Sequence, residues 1–494
     1  MNAGPAERSR SWAPLDFGVY SFLAVNPLAL GLWMFSLAPL VGGNLFVATV
    51  LTGVVMFLGA VVFGALAESR PWSGGDYAWQ TRLLDPRLGA VLTLTSWWLV
   101  VVILAPVYGN LLRVEVLDPI LTTLGWDDLA SWFGGRDGIF VSSLVAIAVA
   151  TAFVGLGMRR AAIVQRILLA IGIAALVAVL VLFFAHGPNE FSSAFNEQAA
   201  ETYGTGHIVS TQIEQNGDLD AEAGELQFGS SLGLVPLVLL FALWIGWASP
   251  LAGEVRGWRP QLGRAVLVRT VVAWTMTCLL LFVAIGRSMT WELWNEANNL
   301  YWGTVYRTTS PTPLPAWPNP VLFASWLTDS TAVRVLILAG MAAWIVGFAA
   351  TLFLGASRVL LAGAADGLLP RRFASTSRDA VPVATLALLV VPACALAALD
   401  AYWDTFASWT VAAVVALAVT TLGSALAAVR AFRRDSAGVA VIAVLFASVV
   451  VLVIADWLLD PVYGIRSVGP LVFLAALYLL AGAGYALSRR RAVP

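Results

Sequence analysis

Lysine is missing from the chain: all 28 basic side chains among its 494 residues are arginine. Charge of either sign is scarce, at 12% of residues against roughly 25% in ordinary soluble proteins, while 60% of residues are hydrophobic. A soluble globular protein is thereby excluded. There are only two cysteines, Cys278 and Cys394, each inside an apolar run, which leaves no disulfide framework and no thiolate metal site. The two histidines, His186 and His207, fall in one polar connection and offer no cluster for a catalytic metal. The first fifteen residues carry Arg8 and Arg10 but no short apolar stretch ending in a cleavage site, so no removable signal peptide is expected.

What is present is a series of apolar runs. Twelve are long enough to span a bilayer, at about 20 residues each, and they lie at 16–40, 45–66, 88–112, 138–157, 161–184, 232–252, 266–285, 330–357, 381–399, 403–429, 439–457 and 468–487. With the N-terminus in the cytoplasm, 22 of the 28 arginines fall on the cytoplasmic side, and the reversed orientation inverts that bias. The reading is therefore an all-α polytopic protein of the plasma (inner) membrane, with twelve transmembrane helices and both termini cytoplasmic. Its arginines are spread over many short connections, as topology requires, and do not suggest nucleic-acid binding. Two long connections lie outside. Residues 186–231 are acidic, with eight Asp and Glu between Glu190 and Glu225, and read as a solvated loop. Residues 286–329, with Trp291, Trp294, Tyr301, Trp302, Trp317 and five prolines, read either as a packed outer lid or as part of the aromatic belt.

No charged side chain lies near the middle of any run, and neither a metal-ligand cluster nor a nucleophile beside a base is visible. An enzyme and a bound cofactor are accordingly not expected. Two runs are instead interrupted. Asn26-Pro27 falls near mid-depth in the first, and Gly246-Trp247-Ala248-Ser249-Pro250 in the sixth; proline removes a backbone donor and clashes with the preceding turn. Five spans separate the two interruptions, so the second group of helices runs inverted relative to the first. Broken helices at corresponding places of inverted repeats point to a transporter's binding site, where half-helix ends and free backbone groups hold a small charged solute.

Three cytoplasmic motifs add a family resemblance. They are Arg70-Pro71-Trp72-Ser73-Gly74-Gly75-Asp76-Tyr77-Ala78-Trp79, then Gly253-Glu254-Val255-Arg256, then Ser357-Arg358-Val359-Leu360-Leu361-Ala362 followed by Asp366-Gly367-Leu368-Leu369-Pro370. Together they resemble amino acid permeases of the amino acid, polyamine and organocation superfamily over residues 16–428. The resemblance implies a leucine-transporter-like fold: a tail at 1–15, a first five-helix repeat at 16–185, the outer loop at 186–231, an inverted repeat at 232–428, and two further helices with a tail at 429–494. It implies an amino acid or related small amine as cargo, moved by symport or antiport, and bound at Asn26, Pro27, Leu28, Ala29, Leu30 and Gly31 and at Trp244, Ile245, Gly246, Trp247, Ala248 and Ser249.

Two departures matter here. The first-helix break of the family is usually glycine-rich, whereas this one reads Asn-Pro-Leu-Ala-Leu-Gly, and the sixth-helix stretch before Gly253 is a residue or two shorter than usual; Trp244 or Trp247 can instead offer an aromatic face to an organic cation. A polyamine, nucleobase or other organic cation therefore stays open as cargo, as does a nutrient sensor that binds without carrying. The coupling ion is sodium or a proton. A lysine that takes the sodium position in some relatives is absent, and a sodium site would draw on Thr351 and Ser357. Glu68, Asp76 and Glu254 are candidates for gate ion pairs with Arg70, Arg82 or Arg358. The expected partners are the solute and membrane lipids.

Overall fold

An asparagine and a proline divide the first apolar run. In the computed structural model, which describes residues 11–29, 31–203, 228–259, 261–307, 317–377, 380–403, 409–460, 463–465 and 468–491, that run forms two short helices, α1 (Pro14–Val25) and α2 (Gly31–Val41). The helical order continues with α3 (Leu45–Ser69), α4 (Asp76–Leu83) and α5 (Pro86–Leu112). A π turn (Arg113–Leu117) then leads into α6 (Asp118–Thr123), followed by α7 (Asp127–Gly134), α8 (Arg136–Gly155), α9 (Met158–Ala185) and α10 (Pro188–Tyr203). Next come α11 (Phe228–Ala242), a 3₁₀ segment (Ile245–Glu254), α12 (Leu262–Met289), α13 (Trp291–Arg307), α14 (Pro320–Ser325) and α15 (Thr331–Ala365). The chain closes with α16 (Val383–Tyr402), α17 (Thr410–Phe432), α18 (Ala437–Leu459) and α19 (Val468–Arg491). Among the described residues no strand forms, and one isolated bridge joins Trp12 to Val255.

Eleven helical stretches are long and apolar enough to cross a membrane, and they coincide with the expected runs apart from the divided first one. The helices separate into an inner and an outer set. Of the most apolar 18 residues in Gly229–Glu254 and in Thr410–Phe432, 78% are buried, against 6% in Val468–Ser488. Inner helices bury nearly every face, whereas the outer ones turn Val472, Leu479 and Leu480 outward, as lipid-facing helices do. The inner set surrounds both helix interruptions: α1 packs against the 3₁₀ segment and α15, and α5 packs against α15 and α17.

Two expectations are corrected. The third span does not stop at residue 112: it runs on through the π turn to Thr123, because Arg113 is held by Asn110 and Asp118 while Glu115 and Val116 stay buried. The acidic outer connection is not simply a solvated loop. Its first part is α10, where Phe191, Phe195 and Ala199, four residues apart, form an apolar stripe that packs on Phe323 and Trp326 of the cap. Glu190 reaches back to accept from the Gly187 N–H at 2.9 Å and so starts that helix.

Candidate functional site

At the first interruption, Asn26 ends α1 with φ 34° and ψ 94°, conditions that asparagine tolerates better than most residues. Its side chain then occupies the turn. Oδ1 accepts from the Ala29 N–H at 2.8 Å and the Leu28 N–H at 3.2 Å, and Nδ2 donates to the Trp344 carbonyl of α15 at 2.8 Å. Pro27 has no N–H to satisfy, so the amides on either side of the break have partners within the protein. Pro27, Leu28, Ala29 and Gly31 are all buried, and Leu30 lies outside the described residues. Gly31 opens α2 with room beside it: a Cβ added there would meet no atom of the described residues beyond its chain neighbours within 4 Å.

The second interruption is longer. After α11 the chain runs for ten residues as 3₁₀ helix with Pro250 inside it. Such runs seldom exceed three or four residues, because their hydrogen bonds are poorly aligned, and within a longer helix they commonly mark a hinge. Trp244, Ile245, Gly246, Trp247, Ala248 and Ser249 are all buried. The Trp247 ring stacks on Trp97 of α5 at 3.8 Å, and its Nε1 donates to the Thr351 carbonyl at 3.0 Å. Tyr20 of α1 donates to the same carbonyl at 2.8 Å, so one acceptor on α15 joins both interrupted helices. Trp244 meets Trp247 and Phe348 edge-on, and its Nε1 has no partner among the described residues. Gly246 is needed for close packing: a Cβ there would lie 2.6 Å from the ring of Phe63 on α3.

The structure thus brings the two broken segments together around α15. The hydroxyl candidates on α15 are arranged differently. Thr351 Oγ1 donates to the Phe348 carbonyl at 2.7 Å and Ser357 Oγ to the Leu354 carbonyl at 2.8 Å, so each is turned into its own helix. Six residues separate them, about 9 Å of helical rise.

At the end of the bundle expected to face the cytoplasm, Glu254 faces Arg358 at 3.9 Å, whereas Glu68 pairs with Arg264 at 2.7 Å rather than with Arg70 or Arg82. Arg82 instead lies over the ring of Trp72. Asp76 is buried at the start of α4 and accepts from Ser424 Oγ at 2.6 Å. Burial pushes its carboxyl up to about 7, against the opposing influence of Ser424, then Trp97, then Ser249 of the 3₁₀ segment.

At the opposite end, the residues expected as lid or belt form a packed cap. Trp302 and Trp317 both donate to Ser36 Oγ of α2, at 2.7 and 2.8 Å, and Trp294 donates to the Phe35 carbonyl at 3.1 Å. The rings of Trp302 and Trp317 form one cluster with Trp33 of α2, and Trp294 meets Phe323 edge-on. Pro311, Pro313 and Pro315 lie outside the described residues. Beneath the cluster, Glu115 is a buried carboxylate that the apolar pattern did not reveal; its only signal was the spacing of Arg113, Glu115 and Asp118 directly after a run.

No curated protein matches the chain. A family model described as amino acid permease matches residues 27–460, a stretch that begins at Pro27 of the first interruption and takes in the whole of the second, and the chain belongs to that family.

Proposed function

We propose that the chain is a secondary transporter that moves an amino acid or a related small organic amine across the plasma membrane by alternating access, with both termini in the cytoplasm. Coupling is to sodium or to protons. The observation that carries this reading is the pairing of the two interrupted helices on one α15 carbonyl, with room for a Cβ beside the buried Gly31 among the described residues. A solute seated at the breaks meets both broken segments, and its departure frees the 3₁₀ hinge. The inverted five-helix repeats, 16–185 and 232–428, supply the geometry for rocking one bundle against the other. The cap over α2 acts as the outer barrier, and the Trp97–Trp247 stack closes the path toward the cytoplasm.

Reconstituted full-length protein in vesicles tests this reading. Labelled amino acids and amines are offered with sodium or pH gradients, and counterflow is measured with unlabelled solute inside. Counterflow of at least one of them is expected. Binding of a solute with no flux in either direction would sink the transport reading and favour a sensor.

A further inference from the structure

Glu115 sits in the π turn after α5 and is 2% exposed. Its Oε1 accepts from Trp33 Nε1 of α2 at 3.1 Å, and its Oε2 has no hydrogen-bond partner among the described residues. Tyr108, seven residues earlier and nearly two turns back on the same face of the helix, is fully buried, with its hydroxyl equally without a partner. The nearest arginine in sequence does not pair with Glu115: Arg113 is taken up by Asp118 at 2.7 Å and Asn110 at 3.0 Å. A buried carboxylate oxygen and a buried hydroxyl without partners are costly to keep; the carboxylate calls for a donor, and the hydroxyl oxygen can accept one as well as donate its own proton.

The surroundings select the donor. Trp33 offers a ring as well as an indole N–H, and Trp302 and Trp317 close over it at 5.4 and 5.1 Å between centroids. Tyr108 continues inward to Phe348 at 4.7 Å, and Phe348 touches Trp244 at the second helix break. Hard metal cations take about six oxygen ligands. The side-chain oxygens in this neighbourhood are those of Glu115 and Tyr108 together with Ser36 Oγ, which Trp302 and Trp317 already occupy, and the rings of Trp33, Trp302, Trp317 and Phe348 lie around them. An organic ammonium suits such surroundings, since it donates to the carboxylate and the hydroxyl while its charge lies against ring faces.

We propose that Glu115, Tyr108 and Trp33 form an outer binding site for the ammonium group of a small organic amine, covered by Trp302 and Trp317 and leading inward along Tyr108 and Phe348 to the helix breaks. The site rests on the transport reading only in treating that amine as cargo. It also fits the first break, whose amides at Leu28 and Ala29 already hold Asn26 Oδ1 and do not wait for a carboxylate. The favoured cargo is therefore an amine in which the cationic group is the main recognition element.

The test uses the full-length protein with 2-phenylethylamine and 1,4-diaminobutane as probes and 2-phenylethanol as the uncharged control. Binding is read by tryptophan fluorescence and thermal shift, alongside uptake in vesicles. At least one amine is expected to bind and the alcohol not, with Glu115→Gln weakening the amine about tenfold or more and Glu115→Asp retaining part of the affinity. If Glu115→Gln fails to fold, Tyr108→Phe carries the same test with a smaller loss, about threefold. Wild-type affinity in Glu115→Gln, or no amine bound at concentrations up to about 10 mM, overturns the site. So does a response to sodium that displaces the amine and vanishes in Glu115→Gln, since the site would then be one for an alkali cation. Solute uptake that is indifferent to Glu115 removes the outer site and leaves the transport reading standing. Amine binding at Glu115 without uptake of any solute does the reverse.

Discussion

Where the first transmembrane run breaks, Asn26 supplies the missing partners from its own side chain, whereas the sixth gives way over ten residues of 3₁₀ helix tied to its neighbours mainly by Trp247 and by packing. The first break is short and sealed. The second is long and made of weaker hydrogen bonds, and its Ser249 lies against Gly75, the neighbour of the titratable Asp76. The contrast assigns different work to two places that the pattern of inverted repeats treats as equivalent. The sealed turn is a fixed bracket against Trp344, and the 3₁₀ stretch is the part able to change shape. Local stability is lowest where bonded geometry is poorest, and moving elements are drawn from that end of the range.

Removing the seal should have the largest effect. Asn26→Ala deprives the Leu28 and Ala29 amides of their acceptor and the Trp344 carbonyl of a donor, all in a buried setting. Unmade buried bonds of this kind cost about 1–3 kcal/mol each, so a loss of about 3 kcal/mol or more is expected in detergent-solubilised protein. Thermal unfolding measures it, and a midpoint within a degree of wild type would mean that the first break is no more rigid than the second.

At the second break the corresponding change is Gly246→Ala. The new methyl would lie 2.6 Å from the Phe63 ring, which must move or push the 3₁₀ segment away. Overpacking of this type costs about 1–3 kcal/mol. Solute uptake should fall sharply, and Phe63→Leu in the same molecule should restore part of it. A double variant as inactive as the single one would show that Gly246 acts on something other than the Phe63 contact.

Much of this difference is legible in the chain, but not all of it. Pro27 and Pro250 mark both breaks, and Asn before Pro carries the signal for a side chain that bonds its own turn. The limits of the spans follow from hydropathy to within a few residues, except that α15 runs on past 357 to Ala365, α17 starts at Thr410 rather than 403, and α5 continues at its C-terminal end, where three charged residues end the apolar pattern while the π turn keeps Glu115 inside. Burial there depends on Trp33, eighty-two residues away in the chain, and no local pattern reports such a contact. The cap on Ser36 was hidden for the same reason: Trp302 and Trp317 were visible as aromatics, but their shared acceptor was not. Likewise α10 was masked by its acidic surface, because composition outweighed the four-residue spacing of Phe191, Phe195 and Ala199.

Titration sharpens the comparison next, because it acts on one break alone. The Asp76 carboxyl stands at about 7 in the folded protein against an ordinary 3.8, so the folded state holds the proton more tightly than the unfolded chain. Below pH 4 both states are protonated and nothing is lost; stability falls as pH rises from about 4 through 7. Between pH 6 and pH 8 that amounts to about 1.4 kcal/mol. Thermal unfolding across this range should show the decline in the wild type and a flatter profile in Asp76→Asn. A wild-type profile unchanged by that substitution would detach Asp76 from the second break.

The smallest effect on stability, and the most selective on function, is expected at Gly31. An added Cβ meets no atom there, and alanine favours a helix over glycine by about 1 kcal/mol, so Gly31→Ala should leave the unfolding midpoint unchanged or slightly raised. The methyl nevertheless takes up room beside the buried first break, where the solute is proposed to sit. Uptake should therefore weaken through the apparent affinity, with a rise in KM and little change in the amount of folded protein. This separates the two interruptions more cleanly than any destabilising change. At Gly246 alanine disturbs a packed contact and the solute together, whereas at Gly31 it leaves the contacts intact and removes only room. If Gly31→Ala carries solute with wild-type affinity, the space beside the first break is a packing void. The binding surface then belongs to the 3₁₀ segment and the aromatic residues above it.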